Sequence, residues 1–255
     1  MNNLTNKHIL VFAATGAIAG QAAHKFATEG ATVWISGRNE ERLDELAERI
    51  HRDGGSAHYH TLDATDPDAV QRYVADVAAQ AGNIHGVFNG IGGRPVELGY
   101  PEPSATTSAE HFMLPFEVIV KSQFLTAREA AKYMHEGGAI VFLSATLSRM
   151  TAPFMAGISA AQGAVEALTR SLAGEYGGQN IRVNCVRGSA MPETRTIQET
   201  GAGVAALGGP INMSLPPLGR PISVQDTVNT ATYLMSDLSS GVTGQIVTVC
   251  AGAFV

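Results

Sequence analysis

Cysteine, lysine and long apolar runs are scarce in this chain, and each scarcity excludes something. The two cysteines, Cys185 and Cys250, lie in apolar runs, so they are expected buried and reduced, with no Cys-x-x-Cys redox or zinc motif. After Lys7 the N-terminal apolar run is only HILVFAA, too short for a signal sequence or a membrane span. Basic residues number 17 against 23 acidic ones, and the net charge of −6 gives no bulk attraction to nucleic acid or an anionic membrane. A Gly-x-Ser-x-Gly elbow, a His-Glu-x-x-His helix and a P-loop lysine are all absent, which removes the local signatures of hydrolases and kinases. His58 and His60 could chelate a metal only with both rings on one side, and an exposed edge strand is the expectation there. These absences describe a soluble, cytoplasmic protein without a metal site.

What is present alternates. HILVFAA (8–14), ATVWIS (31–36), SAHYHT (56–61), IHGVFNG (84–90), GAIVFLS (138–144), IRVNCV (181–186) and QIVTVC (245–250) read as strands, several of them apolar throughout, as strands covered on both faces are. Helical patterns fall between them, at 17–29, 39–53, 67–81, 108–135, 153–177 and 223–237. Asp66 before Pro67 marks one helix start, and Thr107 with Glu110 a capping box at another. Hydrophobic residues at 45% supply a core, and the alternation implies one α/β domain over 1–255 with a doubly wound parallel sheet. The Gly- and Pro-rich stretch 189–219 is the exception and reads as a flexible substrate lid, with plain disorder as the competing reading.

In such a sheet a ligand sits beyond the carboxyl ends of the strands, where strand order reverses. The first strand runs into AATGAIAG, a turn of small residues opening a helix whose amides suit a pyrophosphate, with Gly16 and Gly20 as its only glycines. The second strand ends in Ser-Gly-Arg-Asn. Gly37 removes the carboxylate that would bind a ribose 2′-hydroxyl, and Arg38 offers a guanidinium for a 2′-phosphate.

Across nearly its whole length the chain resembles the short-chain dehydrogenase/reductase family. The resemblance rests on EGATVWISGRN (29–39), LDATDPDAV (62–70), FNGIGG (88–93), FEVIVKSQFLTAREAA (116–131), AVEALTRSLAGE (164–175), IRVNCVRG (181–188) and SSGVTGQIVTV (239–249). It implies a Rossmann-type fold of about seven strands, a homo-oligomer (dimer or tetramer) built through helices 108–135 and 153–177, and a nicotinamide dinucleotide, NADP(H) on account of Arg38. Ala13, Thr15, Gly16 and Ile18 would surround the pyrophosphate, Asp63 and Ala64 the adenine, Asn89, Gly90 and Ile91 the adenosine ribose, and Gly188 the nicotinamide end.

The family's motifs are also broken here. Counted without a gap, Ala13, Ala17 and Ala19 stand at the three motif glycines, so cofactor binding is expected to be weak or absent. The catalytic Tyr and Lys positions are Ile158 and Gln162, the Asn position is Ile119, and the Ser position is Ala145, next to Ser144. No tyrosine lies between 134 and 175, no lysine follows Lys132 and no asparagine lies between 90 and 179, so shifting the alignment restores none of these three. Loss of a positioned acid costs on the order of a hundred- to ten-thousand-fold in that proton transfer. Ser144 remains as a catalytic candidate, His111 as a more remote one. Arg94, Arg149 and Arg187, at the ends of neighbouring strands, suggest a cationic rim for an anionic substrate, set against solvated or salt-bridged side chains. Two functions stay open: an NADP(H)-linked oxidoreductase for a small carbonyl or activated alkene with a non-standard centre, or a non-redox protein on the same scaffold, whether a ligand-binding pseudoenzyme, lyase, isomerase or cyclase.

Overall fold

The computed structural model describes residues 3–206 and 215–254, the side chains of 202–206 excepted. Seven strands form one sheet: β1 (His8–Phe12), β2 (Thr32–Gly37), β3 (Ser56–Thr61), β4 (Gly86–Asn89), β5 (Gly138–Ala145), β6 (Ile181–Gly188) and β7 (Ile246–Val249). Their order is β3-β2-β1-β4-β5-β6-β7 and every pair is parallel. All seven fall inside the segments expected from sequence, apart from one- or two-residue extensions at the ends of β2, β5 and β6.

Parallel strands need crossovers, and helices supply them on both faces. Along β1, Ile9 and Val11 face one side with α1 (Ala17–Thr28), α2 (Glu40–Arg52) and α8 (Val224–Met235). Leu10 and Phe12 face the other with α3 (Pro67–Ala81), α5 (Lys121–Ala131) and α6 (Ala156–Tyr176). Because alternate side chains serve different faces and both are covered, the strands read as continuous apolar runs. The edge strand β3 is the exception: only Ala57 is buried, while His58 stacks on Trp34 at 4.3 Å and His60 on Tyr73 at 5.3 Å.

Three local expectations need correction. The helix expected over 108–135 is broken: α4 (Ala109–Pro115) passes through a π-helical turn, Phe116–Val120, before α5 begins. Pro115 lacks the N–H that would continue the ladder, and the wider turn absorbs the defect. Its N-cap is Ser108, which accepts from His111 N–H at 3.1 Å; Thr107 instead donates its hydroxyl to Pro103 O at 3.0 Å. The expected cap at Asp66 forms, accepting from Asp68 and Ala69 N–H ahead of Pro67. Finally, the stretch expected as an irregular lid contains a helix, α7 (Arg195–Ala206), while residues 207–214 lie outside the described residues.

Candidate active site

Strand order reverses between β1 and β4, so a crevice opens beyond their carboxyl ends. Ala13 leaves β1 with φ 58, a left-handed conformation costing an alanine roughly 1–2 kcal/mol. Gly16 then caps α1 with no side chain to offer. The first helical bond runs from Gly20 N–H to Gly16 O at 2.8 Å, so the amides of Ala17, Ile18 and Ala19 have no acceptor among the described residues. Three convergent N–H groups at the positive end of a helix favour an anion.

The motif alanines do not all crowd that position. Ala19 is 1% exposed, and a Cβ added at Gly90 would stand 2.7 Å from the Ala19 methyl. Gly90 therefore supplies the room that lets α1 lie against the end of β4, and the Ala19 methyl points into the core. The expectation that methyls at 13, 17 and 19 together hold a phosphate off is corrected to that extent. Thr15 packs over Gly37, where a Cβ would come within 3.3 Å of its methyl. Arg38, next along, is exposed and lacks an ion-pair partner among the described residues. Ile18, in the first turn of α1, is partly exposed.

Asp63 is exposed and accepts from Thr65 N–H at 2.9 Å and the Thr65 hydroxyl at 2.8 Å. The Thr65 N–H, with smaller help from Arg38 and Lys121, holds its carboxyl below the usual range against partial burial. Ala64 is buried next to it. Asn89 is fully buried: its Nδ2 donates to Thr126 Oγ1 at 2.9 Å and Ser122 O at 3.3 Å, and its Oδ1 accepts from Ile91 N–H at 2.9 Å. Asn89 thus fastens the turn that presents Gly90 and Ile91, both partly exposed, and keeps its own side chain inside. Residues Ala13 to Ile18 and Asn89 to Ile91 lie at the β1–β4 reversal, while Arg38 follows β2 and Asp63 and Ala64 follow β3; Ser144, Arg187 and Gly188 belong to a second cluster on β5 and β6.

At that second cluster, Arg187 is not part of an open cationic rim. Its guanidinium grips Glu166 of α6 with both branches, Nε to Oε1 at 2.7 Å and Nη2 to Oε2 at 2.5 Å, and donates from Nη1 to Thr248 Oγ1 at 2.9 Å. Ser144 and Ser148 donate their hydroxyls to the same Glu166 Oε1, at 3.2 and 2.5 Å. Burial pushes the Glu166 carboxyl up, but Arg187 and the two serines more than offset this and hold it below the usual range. The same carboxylate raises Arg187. Beneath them Cys185 is enclosed, and burial pushes its thiol up to about 12. The hydroxyl of Ser144, the catalytic candidate, is engaged by Glu166.

Arg94 is also engaged. Its Nε and Nη2 reach Glu199 Oε1 of α7 at 2.9 and 2.7 Å, and Nη1 reaches Glu97 at 3.0 Å. With Tyr100, whose hydroxyl donates to Thr200 O at 3.2 Å, it ties α7 to the segment after β4. Arg149 alone of the three is exposed and without an ion-pair partner among the described residues. His111 lies on the surface, 3.3 Å from Glu102. Gly188 is buried at the end of β6, in register with Ala145 and Val249.

Ile158, Gln162 and Glu166 follow at one-turn intervals on the face of α6 that looks onto β5 and β6, each 6% exposed. Gln162 Oε1 accepts from Ala145 N–H at 3.1 Å, and Ile119 is fully buried at the π turn. Sequence reasoning missed Glu166 as the partner of Arg187 and Glu199 as the partner of Arg94. The available signal was Glu166 itself, a charged residue on an inward helical face, which requires a counter-charge.

A seven-stranded parallel sheet with helices on both faces and a strand-order reversal between β1 and β4 defines a Rossmann-type α/β fold. The chain belongs to the short-chain dehydrogenase/reductase family, whose members use nicotinamide cofactors on small-molecule substrates: a family model described as enoyl-(acyl carrier protein) reductase matches residues 13–253. It is 31% identical over 259 residues to a cyclopentanol dehydrogenase of Comamonas testosteroni, covering 99% of this chain and 98% of the relative. It is 30% identical over 221 residues to the NADPH enoyl-(acyl-carrier-protein) reductase of Staphylococcus aureus, covering 84% and 82% of the two chains. Among solved structures, a short-chain dehydrogenase/reductase from Mycobacterium ulcerans superposes with a TM-score of 0.86 at 26% identity, covering 98% of this chain and 90% of that one. No helix among the described residues is long and apolar enough to cross a membrane.

Proposed function

We propose that the chain is an NADP(H)-linked oxidoreductase for a small, in part anionic, carbonyl compound or activated alkene, working with a non-standard centre. The observation that carries this reading is the uncapped start of α1 at the strand reversal, with the exposed Arg38 one strand away. The residues fit the dinucleotide: the amides of Ala17 to Ala19 would hold the pyrophosphate, Arg38 the 2′-phosphate, Asp63 and Ala64 the adenine side, and Gly90 and Ile91 the ribose. When bound, the dinucleotide supplies or accepts the hydride. The chain's own residues would orient the substrate and exclude water, with the exposed Arg149 attracting an anionic group and α7 held by Arg94 against the segment after β4. The relative from Staphylococcus aureus is named as an NADPH enoyl-(acyl-carrier-protein) reductase, which supports the same cofactor and an alkene substrate here.

A second reading is a non-redox or silent protein on this scaffold. It is favoured by Ile158, Gln162 and Ile119 at the positions of the family's Tyr, Lys and Asn, and by a Glu166 carboxylate saturated by its own neighbours. We further propose a homo-oligomer through α4 to α6 and a cytoplasmic location. Oxidation of NADPH, followed at its absorbance maximum against a panel of ketones, 2-oxo acids, enals and enoyl thioesters, separates the two readings. Turnover of any member supports the first. NADPH binding with no turnover across the panel supports the second, and gain of ketone reduction in Ile158→Tyr/Gln162→Lys would then show that the cleft geometry survives.

A further inference from the structure

On the inward face of α6, over the ends of β5 and β6, three polar side chains have different amounts of bonding capacity left. Glu166 is saturated: its two oxygens take two arginine nitrogens and two serine hydroxyls. Gln123, reaching in from α5, donates Nε2 to Leu143 O at 3.0 Å and leaves an Oε1 enclosed without partner or solvent. Gln162 is the third, and its carboxamide orientation is fixed by chemistry. Ala145 N–H is a donor, so the atom receiving it can only be Oε1, and Nε2 must point the other way.

The backbone explains why Ala145 needs this partner. Ala139 N–H reaches His85 O, towards β4, so the odd-numbered residues of β5 turn their amides and carbonyls that way. The β4 pairing ends at Asn89 opposite Phe142, leaving Leu143 O and Ala145 N–H beyond the last β4 partner. Gln123 and Gln162 close the two open positions, one as donor and one as acceptor. Gln162 Nε2 then remains with no acceptor among the described residues. It is not among the enclosed orphan atoms, so it opens on solvent although the residue is 94% buried, being 6% exposed. One turn earlier on the same face stands the apolar Ile158.

We infer that Gln162 Nε2 is a fixed, neutral hydrogen-bond donor for the acceptor oxygen of a small carbonyl or carboxylate ligand bound beyond the end of β5. An apolar neighbour strengthens such a bond by excluding water. A carboxamide does not titrate, so it polarises an oxygen without delivering a proton to it. This rests on the proposed cleft but makes a separate demand: the donor recognises the substrate oxygen, whereas the dinucleotide is held at α1 and Arg38.

Gln162→Glu separates the two roles, because a glutamate keeps an oxygen for Ala145 N–H and loses the donor. Acetoacetate, crotonaldehyde and acetate serve as probes, each titrated into the full chain with and without NADP+, with glutamine side-chain amides labelled with nitrogen-15 and the Gln162 pair assigned by its loss in Gln162→Leu. The inference expects the Gln162 pair to shift on adding at least one probe. It also expects Gln162→Glu to weaken that probe at least tenfold at pH 8 and to recover affinity as acid protonates the new carboxyl and restores a donor. A merely structural Gln162 would show no such pH-dependent recovery. A pair unmoved by all three probes, a pair moved by NADP+ alone, or unchanged probe affinity in Gln162→Glu would each overturn the inference. Failure of NADP+ and NADPH to bind would instead remove the proposed cofactor, with the probe response still read directly.

Discussion

Replacing Arg187 with glutamine strips the positive partner from a carboxylate that the fold has sealed between α6 and β6. Both side chains are 8% exposed, and the guanidinium makes two bonds to Glu166 and one to Thr248. Removing one member of a buried ion pair costs about 3–5 kcal/mol, because the other charge stays behind. For a domain of this size that is a drop in Tm of roughly 6–20 °C. The pH dependence changes sign as well. In the parent chain the Glu166 carboxyl lies below its unfolded value, so its contribution is present above the unfolded pKa and lost as acid passes the folded one. In Arg187→Gln burial acts unopposed by the cation, the folded pKa rises above the unfolded value, and the variant recovers stability as pH falls from 8 towards 5. A second change, Glu166→Leu in the same chain, removes the stranded charge and should restore most of the loss. Urea and thermal unfolding by circular dichroism across that pH range give all three quantities. A single variant within about 0.5 kcal/mol of the parent would refute the claim that this pair is buried and bonded as described.

Three further outcomes follow from other parts of the molecule. Gly90→Ala places a methyl 2.7 Å from the Ala19 Cβ and should cost about 1–3 kcal/mol by overpacking, with recovery in the Gly90→Ala/Ala19→Gly double variant; additive losses in unfolding experiments would contradict the contact. His8 Nδ1 accepts from Trp34 Nε1–H at 3.3 Å and His85 Nδ1 from His8 N–H at 3.1 Å, so both rings must be neutral at those atoms. Burial lowers both pKa values, helped by His58 at His8 and by His8 at His85, while Glu136 opposes the shift at His85. Stability is therefore complete above the unfolded value of about 6.5 and declines as pH falls through the folded ones, and the fluorescence of Trp34, the sole tryptophan, should change in the same window in the parent and change less in His8→Gln, where only the stacked His58 remains against the indole. Arg94→Gln releases Glu199 and should speed tryptic cleavage after Arg195 with little change in global melting; unaltered cleavage would remove Arg94 as the tie on α7.

The sheet was legible because strands covered on both faces have to be apolar throughout, and the helices between them carry ordinary caps such as Asp66. Where reading failed, a competing local interaction won. Thr107 and Ser108 are both competent caps, and only the position of Pro103 O, which takes the Thr107 hydroxyl, decides between them. Pro115 sits inside a pattern otherwise helical over 108–135, and periodicity does not show that a π turn will absorb it. The sequence Arg195–Ala206 contains two glycines and so read as irregular, yet it is helical and its side chains Glu199 and the Thr200 carbonyl are held by Arg94 and Tyr100. Near the strand reversal, the ends of β1 and β4 that carry Ala13 to Ile18 and Asn89 to Ile91 follow from the strand pattern, because each group sits on one local turn. Partnerships across the fold do not: Arg187 and Glu166 are 21 residues apart, Arg94 and Glu199 are 105 apart, and no spacing rule joins them.

The most direct test of the account is calorimetric titration of NADPH and NADH into the parent chain and into Arg38→Gln. The account predicts one NADPH per chain with a Kd below about 1 mM, and an affinity loss of about ten- to a hundredfold in Arg38→Gln, the worth of a charge-assisted phosphate contact, with NADH unchanged. Absence of binding for both dinucleotides, or equal NADPH affinity in the two proteins, would contradict it.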